Sequence, residues 1–366
     1  MKITFPHMGR AYIPIQGLLE KAGLETVVPA RPHRRGVELG ARYAPEFVCL
    51  PFKSTLGDFI DGLEKGADTL AMVCGMWACR FGYYGRVQHQ ILRDLGYEFD
   101  SILIGKDDLM TVLRKFISAM PKKKRLRRIV AAIVMFRARA RLVDEWEWQA
   151  RRMRPVERIS GSADEVLSAF FTRLETAPNL RSVRRLRREA MKALAKVPLR
   201  EDRRPLKVAL LGEVYMVLEP NLNLELERGM GELGMEVHPV LTTYRWLLKP
   251  FRILDPRIEL TEAWARRVSR PYVRYVLGGE EHWTIAGTIQ AAKRGYDGVV
   301  HVYPLTCMPE NICRSILPKV TEKYNIPLLD LCFDEHSSPV GIRTRLEAFG
   351  DLLERRRSST PAAGSG

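Results

Sequence analysis

Short apolar runs alternate with stretches of helical spacing through the first 110 residues. The runs at Lys2–Phe5, Glu25–Val28, Thr69–Val73 and Ser101–Ile104 predict strands. From Pro51 to about Lys65, Phe52, Leu56, Phe59, Ile60 and Leu63 recur at helical spacing, and helices are also predicted within Gln16–Lys21 and over Gly85–Leu95. Residues 206–356 repeat the alternation. Strands are expected there at Lys207–Leu211, Glu236–Val240, Gly298–Tyr303 and Pro327–Leu331, with helices over Leu222–Leu233, Thr284–Lys293, Pro309–Lys323 and Gly341–Arg355. Between the two regions no run reads as a strand, and helical spacing recurs at about 107–119, 126–153, 163–176 and 181–196.

Long helices between short apolar strands call for parallel sheets with right-handed crossovers. The expected class is α/β: two Rossmann-like lobes with parallel sheets, a helical segment between them, and a ligand site at the crevice where the lobes meet. The expected domains are 1–110, a helical insertion at 111–205, 206–356, and a disordered tail at 357–366 whose residues are small and polar.

Charge changes this picture in one place. The chain carries a net charge of +16, and residues 111–205 hold all of it, with 26 basic against 10 acidic residues. Both lobes are therefore neutral, and the middle segment is basic. Hydrophobic content of 46% is ordinary for a globular chain, and no apolar run reaches the roughly 18 residues of a membrane span. Together with an N-terminus that reads as a strand rather than a leader, this makes a cytoplasmic protein with no membrane contact the expectation.

Six cysteines are odd as a disulfide framework in a reducing compartment, so metal or redox chemistry and buried inert thiols are the readings to weigh. Their placement favours a site. Cys74 follows the strand Thr69–Val73, Cys79 lies five residues on, Cys307 follows Gly298–Tyr303, and Cys332 ends Pro327–Leu331. Open parallel sheets bind ligands beyond the carboxyl ends of their strands. Cys49-Leu-Pro51 and Cys307-Met-Pro309 each put a cysteine two residues before a proline that opens a helix, where N–H groups and the helix dipole favour thiolate. Cys74-x4-Cys79 is not the C-x2-C pair of most structural zinc sites, so residue types leave iron and zinc both open. His301, within a strand, is expected to bond a backbone carbonyl, whereas His336, in a loop near the crevice, is a candidate acid–base group or ligand.

Two motifs are excluded. Gly229-x-Gly231-x-x-Gly234 matches a dinucleotide fingerprint but runs from helix to strand, the reverse of the required order, and no G-x4-G-K-[ST] occurs.

Several stretches carry a family resemblance: Ala44-Pro-Glu-Phe-Val-Cys49-Leu-Pro, Cys79-Arg-Phe-Gly-Tyr-Tyr84, Leu206-Lys-Val-Ala-Leu-Leu-Gly212-Glu-Val-Tyr215, Gly295-Tyr-Asp-Gly-Val-Val-His301, Pro304-Leu-Thr-Cys307-Met-Pro-Glu310, Asp334-Glu-His336 and Arg345-Leu-Glu-Ala-Phe349. On these the chain resembles the 2-hydroxyacyl-CoA dehydratase and double-cubane-cluster protein superfamily, especially its small CoA-enzyme-activase-related members. The resemblance covers both lobes and leaves the basic segment unplaced. It implies a [4Fe-4S] cluster held by Cys49, Cys79 and Cys307, with low-potential electrons supplied by a separate ATP-hydrolysing activase. Relatives with six cysteines hold a double-cubane [8Fe-9S] cluster, which makes Cys74, Cys332 and Cys313 further candidate ligands. Cys313 falls on the helix opened by Pro309, among neighbours that suit a packed thiol. Glu310 and His336 are the candidate catalytic groups, and acyl-CoA is the implied substrate class. Gly278-Gly-Glu-Glu-His-Trp283, and Ser-Ser-Pro after His336, depart from the family pattern and leave the substrate open.

The runs Lys122-Lys-Lys-Arg125-Leu-Arg-Arg128 and Arg184-Arg-Leu-Arg-Arg188 suit an anionic partner: an acidic electron donor, the activase, or CoA phosphates. A solvated helix face is the plain alternative. Nucleic acid fits poorly, because the nearby Trp146 and Trp148 lie among acidic residues. Such a subunit is expected to work as a homo- or hetero-oligomer. A binding or regulatory subunit without catalysis and a structural zinc protein are the competing functions.

Overall fold

Parallel pairing joins the apolar runs into two four-stranded sheets in a computed structural model that describes residues 1–74, 79–105, 114, 116–118, 120, 125–248 and 261–359. The first contains β1 (Lys2–Thr4), β2 (Glu25–Thr26), β3 (Thr69–Val73) and β4 (Asp100–Ile104) in the order β2-β1-β3-β4. The second contains β5 (Leu206–Gly212), β6 (Met235–Pro239), β7 (Gly298–Pro304) and β8 (Leu328–Phe333) in the same order, β6-β5-β7-β8. Every pairing is parallel, so the class is α/β and the lobes share one topology.

Strand alternation sends side chains to opposite faces, and each face is covered by helices. In the first lobe Leu70 and Met72 pack under α3 (Leu50–Glu64) and α4 (Phe81–Asp94), with α2 (Arg34–Tyr43) outside α3. Ala71, Ile3 and Ile102 face α1 (Tyr12–Ala22) and three helices of the middle segment: α5 (Arg125–Met153), α6 (Ser162–Glu175) and α7 (Leu180–Leu194). The middle helices therefore share one core with the first lobe. Buried Arg139 locks it by donating to the carbonyls of Ile13 (3.2 Å) and Ala177 (3.0 Å). The expected helix at 107–119 and the lysines 122–124 lie largely or wholly outside the described residues.

In the second lobe Val208 and Leu210 pack on α8 (Val214–Leu218), α9 (Leu226–Glu232) and the C-terminal α14 (Pro339–Ser359). Ala209 and Leu211 face α11 (Glu262–Ser269) and α12 (Glu281–Lys293). α10 (Thr243–Leu248) packs on α5, and α13 (Met308–Tyr324) on α12. Gly229 and Gly231 lie within α9 and Gly234 leads into β6, in helix-to-strand order. Residues 357–359, expected to be tail, continue α14, because Leu353 and Phe349 anchor its last turns; 360–366 lie outside the described residues. Met8, Ala11, Val37 and Leu50 join the apolar cluster of Leu210, Met216 and Leu218, so the lobes meet through a continuous core. No described helix is long and apolar enough to cross a membrane.

Candidate metal centre

Both sheets end at the seam between the lobes. Cys49 is the residue at which α3 begins and Cys307 the one at which α13 begins, each with extended backbone and proline following in the first turn. Cys79 lies just before α4, and its N–H donates to the Gly278 carbonyl of the other lobe at 3.4 Å. The next residue, Arg80, reaches the Thr306 carbonyl beside Cys307. The loop at Gly278–Gly279 is wedged in between: a Cβ on Gly279 would stand 2.7 Å from the Pro309 ring. These contacts bring Cys79 and Cys307, 228 positions apart in the chain by their numbers, to one seam.

The electrostatics agree. Cys49 senses the charges of Cys79 and Glu213, and Cys307 senses Glu310, Glu213 and Cys49. Glu213 acts on all three thiols. Its position is set by Gly212, whose φ of +132° and approach to the Val302 carbonyl (1.9 Å for a built Cβ) admit no side chain. Strand β5 therefore ends abruptly, and Glu213 starts α8 by accepting the Met216 N–H at 3.0 Å. Burial, then the charges of Glu310 and Glu280, push the Glu213 carboxyl up to about 8.

The expectation that helix starts favour thiolate is corrected here. The N–H of Phe52 does stabilise a Cys49 thiolate, and that of Glu310 a Cys307 thiolate. Burial outweighs both: Cys49 is pushed up to about 12, and Cys307 rises further still, with nearby carboxylates adding to the effect. Cys79 is raised for the same reason, against the opposing pull of Arg80. A dipole end offers a partial charge, whereas desolvating a full charge costs several kcal/mol. The Cys49 sulfur has one further partner, the Tyr84 hydroxyl at 2.7 Å, held by Phe52 edge-on to its ring (4.7 Å) and by Phe81.

The other three cysteines have different surroundings. Cys74 donates to the Gly82 carbonyl at 2.7 Å, and Cys313 is fully buried on α13 and points at the Glu281 carbonyl (3.6 Å). Cys332 sits on β8, opposite Tyr303 on β7, near Asp330 and Arg314. Glu310 is buried beside Cys307 and accepts from the Thr284 hydroxyl at 3.0 Å. His301 does not bond a backbone carbonyl as expected. It bridges Asp330 (2.6 Å) and Glu310 (2.9 Å), because its strand position points between two carboxylates. Burial opposes its charge, but the two acids outweigh burial and raise its pKa. His336 is exposed; its N–H donates to Asp334, and the neighbouring Glu335 pairs with Lys53 across the lobes.

The chain matches no protein-family model and no curated protein. The chemistry of the site must therefore be argued from its own residues. Among the described residues, no three His, Cys, Asp or Glu side chains are drawn together closely enough to hold a single metal ion. What the seam offers is two buried thiols, Cys49 and Cys307, and a half-buried one, Cys79, with Cys49 in electrostatic reach of each of the other two. Around them stand the carboxyl groups of buried Glu281 and Glu310 and of half-buried Glu213. Glu281 is itself clamped by the N–H groups of Leu277 (2.7 Å) and Gly279 (2.9 Å). Sequence reasoning missed Glu213, although a Gly-Glu pair directly after an apolar strand was the signal that could have found it.

Proposed function

We propose that the protein is an iron–sulfur redox protein whose cluster is held by Cys49, Cys79 and Cys307. On this reading it takes low-potential electrons from a separate ATP-hydrolysing activase and relays them to, or reduces, a substrate of the acyl-CoA class. The observation that carries the proposal is the gathering of these three thiols from both lobes at the carboxyl ends of two parallel sheets.

The donor set suits such a group. Thiolates are the ligands of iron–sulfur clusters, and a cationic metal supplies the charge that would offset burial of each thiolate. When bound, a [4Fe-4S] cluster supplies one-electron chemistry at a potential set by net charge, hydrogen bonds and solvent exposure. Glu281 and Glu310 place negative charge around the thiols, which disfavours an added electron and suits a low potential. Tyr84 donates to a Cys49 thiolate, and Arg80 offsets charge at Cys79. Cys74, Cys313 and Cys332 would be needed in addition for a double-cubane [8Fe-9S] cluster. A surface for an acidic donor or activase is offered by α7, whose Arg184, Arg185 and Arg188 are exposed while Val183 and Leu186 face the core.

Anaerobic purification with metal analysis tests the proposal. A brown protein with iron and acid-labile sulfide is expected. A colourless protein carrying zinc, or no metal, would reject it.

A further inference from the structure

The first turns of α5 are apolar on two sides. Ala132 and Met135 face inward and belong to the core that the middle helices share with the first lobe, with Ile129 packed against it. Leu126, Val130, Ile133 and Val134 face the other way and are 76%, 54%, 39% and 41% exposed. Their spacing, i, i+4, i+7 and i+8, puts all four on one side of the helix as a continuous stripe. A helix apolar all round is ordinarily covered all round, and a contiguous exposed apolar patch marks an interaction surface. The stripe is fixed from behind by the core, so it is a formed surface rather than a frayed end.

Its flanks are basic. Arg127 is exposed, and Arg125 and Arg128 are part-exposed. Arg125 donates to the Met120 carbonyl at 3.1 Å, a neutral partner that leaves its charge in place. No acidic residue occurs in α5 before Asp144, so the helix itself offers these arginines no ion pair within four residues. Arginine stems lie along apolar surface while their guanidinium groups reach the polar layer beyond it. The face thus combines aliphatic side chains with cations at its margins.

We propose that this face of α5 docks the protein on an anionic membrane surface. Leu126, Val130, Ile133 and Val134 enter the boundary between headgroups and acyl chains, and Arg125, Arg127 and Arg128 meet the lipid phosphates. Charge decides against a second copy of the chain as the occupant, since an identical stripe brings the same arginines and no acid to receive them. The stripe also lacks the tryptophan or tyrosine anchors on which protein interfaces concentrate their energy. No described helix is long and apolar enough to cross a membrane, so the contact is peripheral. This departs from the expectation of no membrane contact, which rested on the lack of a spanning run. The surface is independent of the thiol centre and stands or falls separately.

The test is co-sedimentation of the full chain with phosphatidylcholine vesicles, with and without about one third phosphatidylglycerol. Binding to the anionic vesicles is expected, about tenfold or more tighter than to phosphatidylcholine alone and weakened by salt. Leu126→Ser combined with Val130→Ser changes only exposed positions, so it should keep the melting temperature and lower vesicle affinity about tenfold or more. Arg127→Gln combined with Arg128→Gln should lower it by about tenfold as well. Absence of binding to the anionic vesicles would overturn the proposal, as would affinity unchanged in either double variant. A dimer in solution that dissociates on Leu126→Ser with Val130→Ser, without vesicle binding by the parent, would overturn it in favour of a second copy.

Discussion

The Nδ1 atom of His7 lies 3.2 Å from Oε2 of Glu219, and both side chains are almost wholly buried where the two lobes meet. Glu219 also accepts from the Gly9 and Asn221 N–H groups, and the His7 N–H donates to Asp58 at 2.9 Å. Burial alone would raise the Glu219 carboxyl, but these partners, His7 foremost, hold it below the usual range. Glu219→Ala strands His7 and Gly9 and should cost about 3–5 kcal/mol in urea unfolding. A folded pKa below the unfolded one means that the stabilisation is present above the unfolded value and fades as pH falls through the folded value. The variant should therefore lose less stability in acid than the parent. Equal midpoints for the two proteins at neutral pH would contradict this role.

Tyr84→Phe removes the hydroxyl beside Cys49 and keeps the ring contacts with Phe52 and Phe81. The expected loss is about 1 kcal/mol, against about 3–5 kcal/mol for Tyr84→Ala, which empties the core position. Chemical denaturation separates the two, and an unchanged midpoint in Tyr84→Phe would show that the hydrogen bond is immaterial.

Gly212→Ala should be among the most damaging single changes in the chain, since a Cβ there meets the Val302 carbonyl and the backbone lies in a region alanine avoids. The expected cost exceeds about 3 kcal/mol. Soluble protein with an unchanged melting curve would contradict the tight strand end that places Glu213.

Burial first, then Glu147, raises Asp144 from the ordinary 3.8 to about 7 despite its bonds to Thr242 and Tyr244. Because the folded protein holds this proton more tightly, stability should fall as pH rises from about 4 to about 7 and stay level above. Asp144→Asn keeps an acceptor and removes the charge. The difference between variant and parent should grow in the variant's favour across that window. A difference independent of pH would refute the assignment.

Sequence reasoning located most strands closely, because Thr69–Val73 and Gly298–Tyr303 are buried on both faces and read as continuous apolar runs. It failed at α2, a helix of Arg, Glu and Gly that buries only Val37 and Gly40 and packs by the approach of Gly40 to the Lys53 carbonyl. Such a contact leaves no hydrophobic periodicity to detect. The positions of Cys49 and Cys307 at helix starts were legible from the prolines that follow them. Their protonation was not, because burial depends on the packing of both lobes, and the charge of Glu213 reaches both thiols from a distant segment. The link between His7 and Glu219 spans 212 positions and has no local signature.

The central claim is most directly tested by anaerobic iron and acid-labile sulfide analysis of the parent and of single cysteine variants. The account predicts about four irons and four sulfides per chain in the parent for a single cubane. It also predicts loss of most of both in Cys49→Ala, Cys79→Ala and Cys307→Ala, with Cys332→Ala retaining them. A parent without iron, or iron content indifferent to all three substitutions, would contradict it.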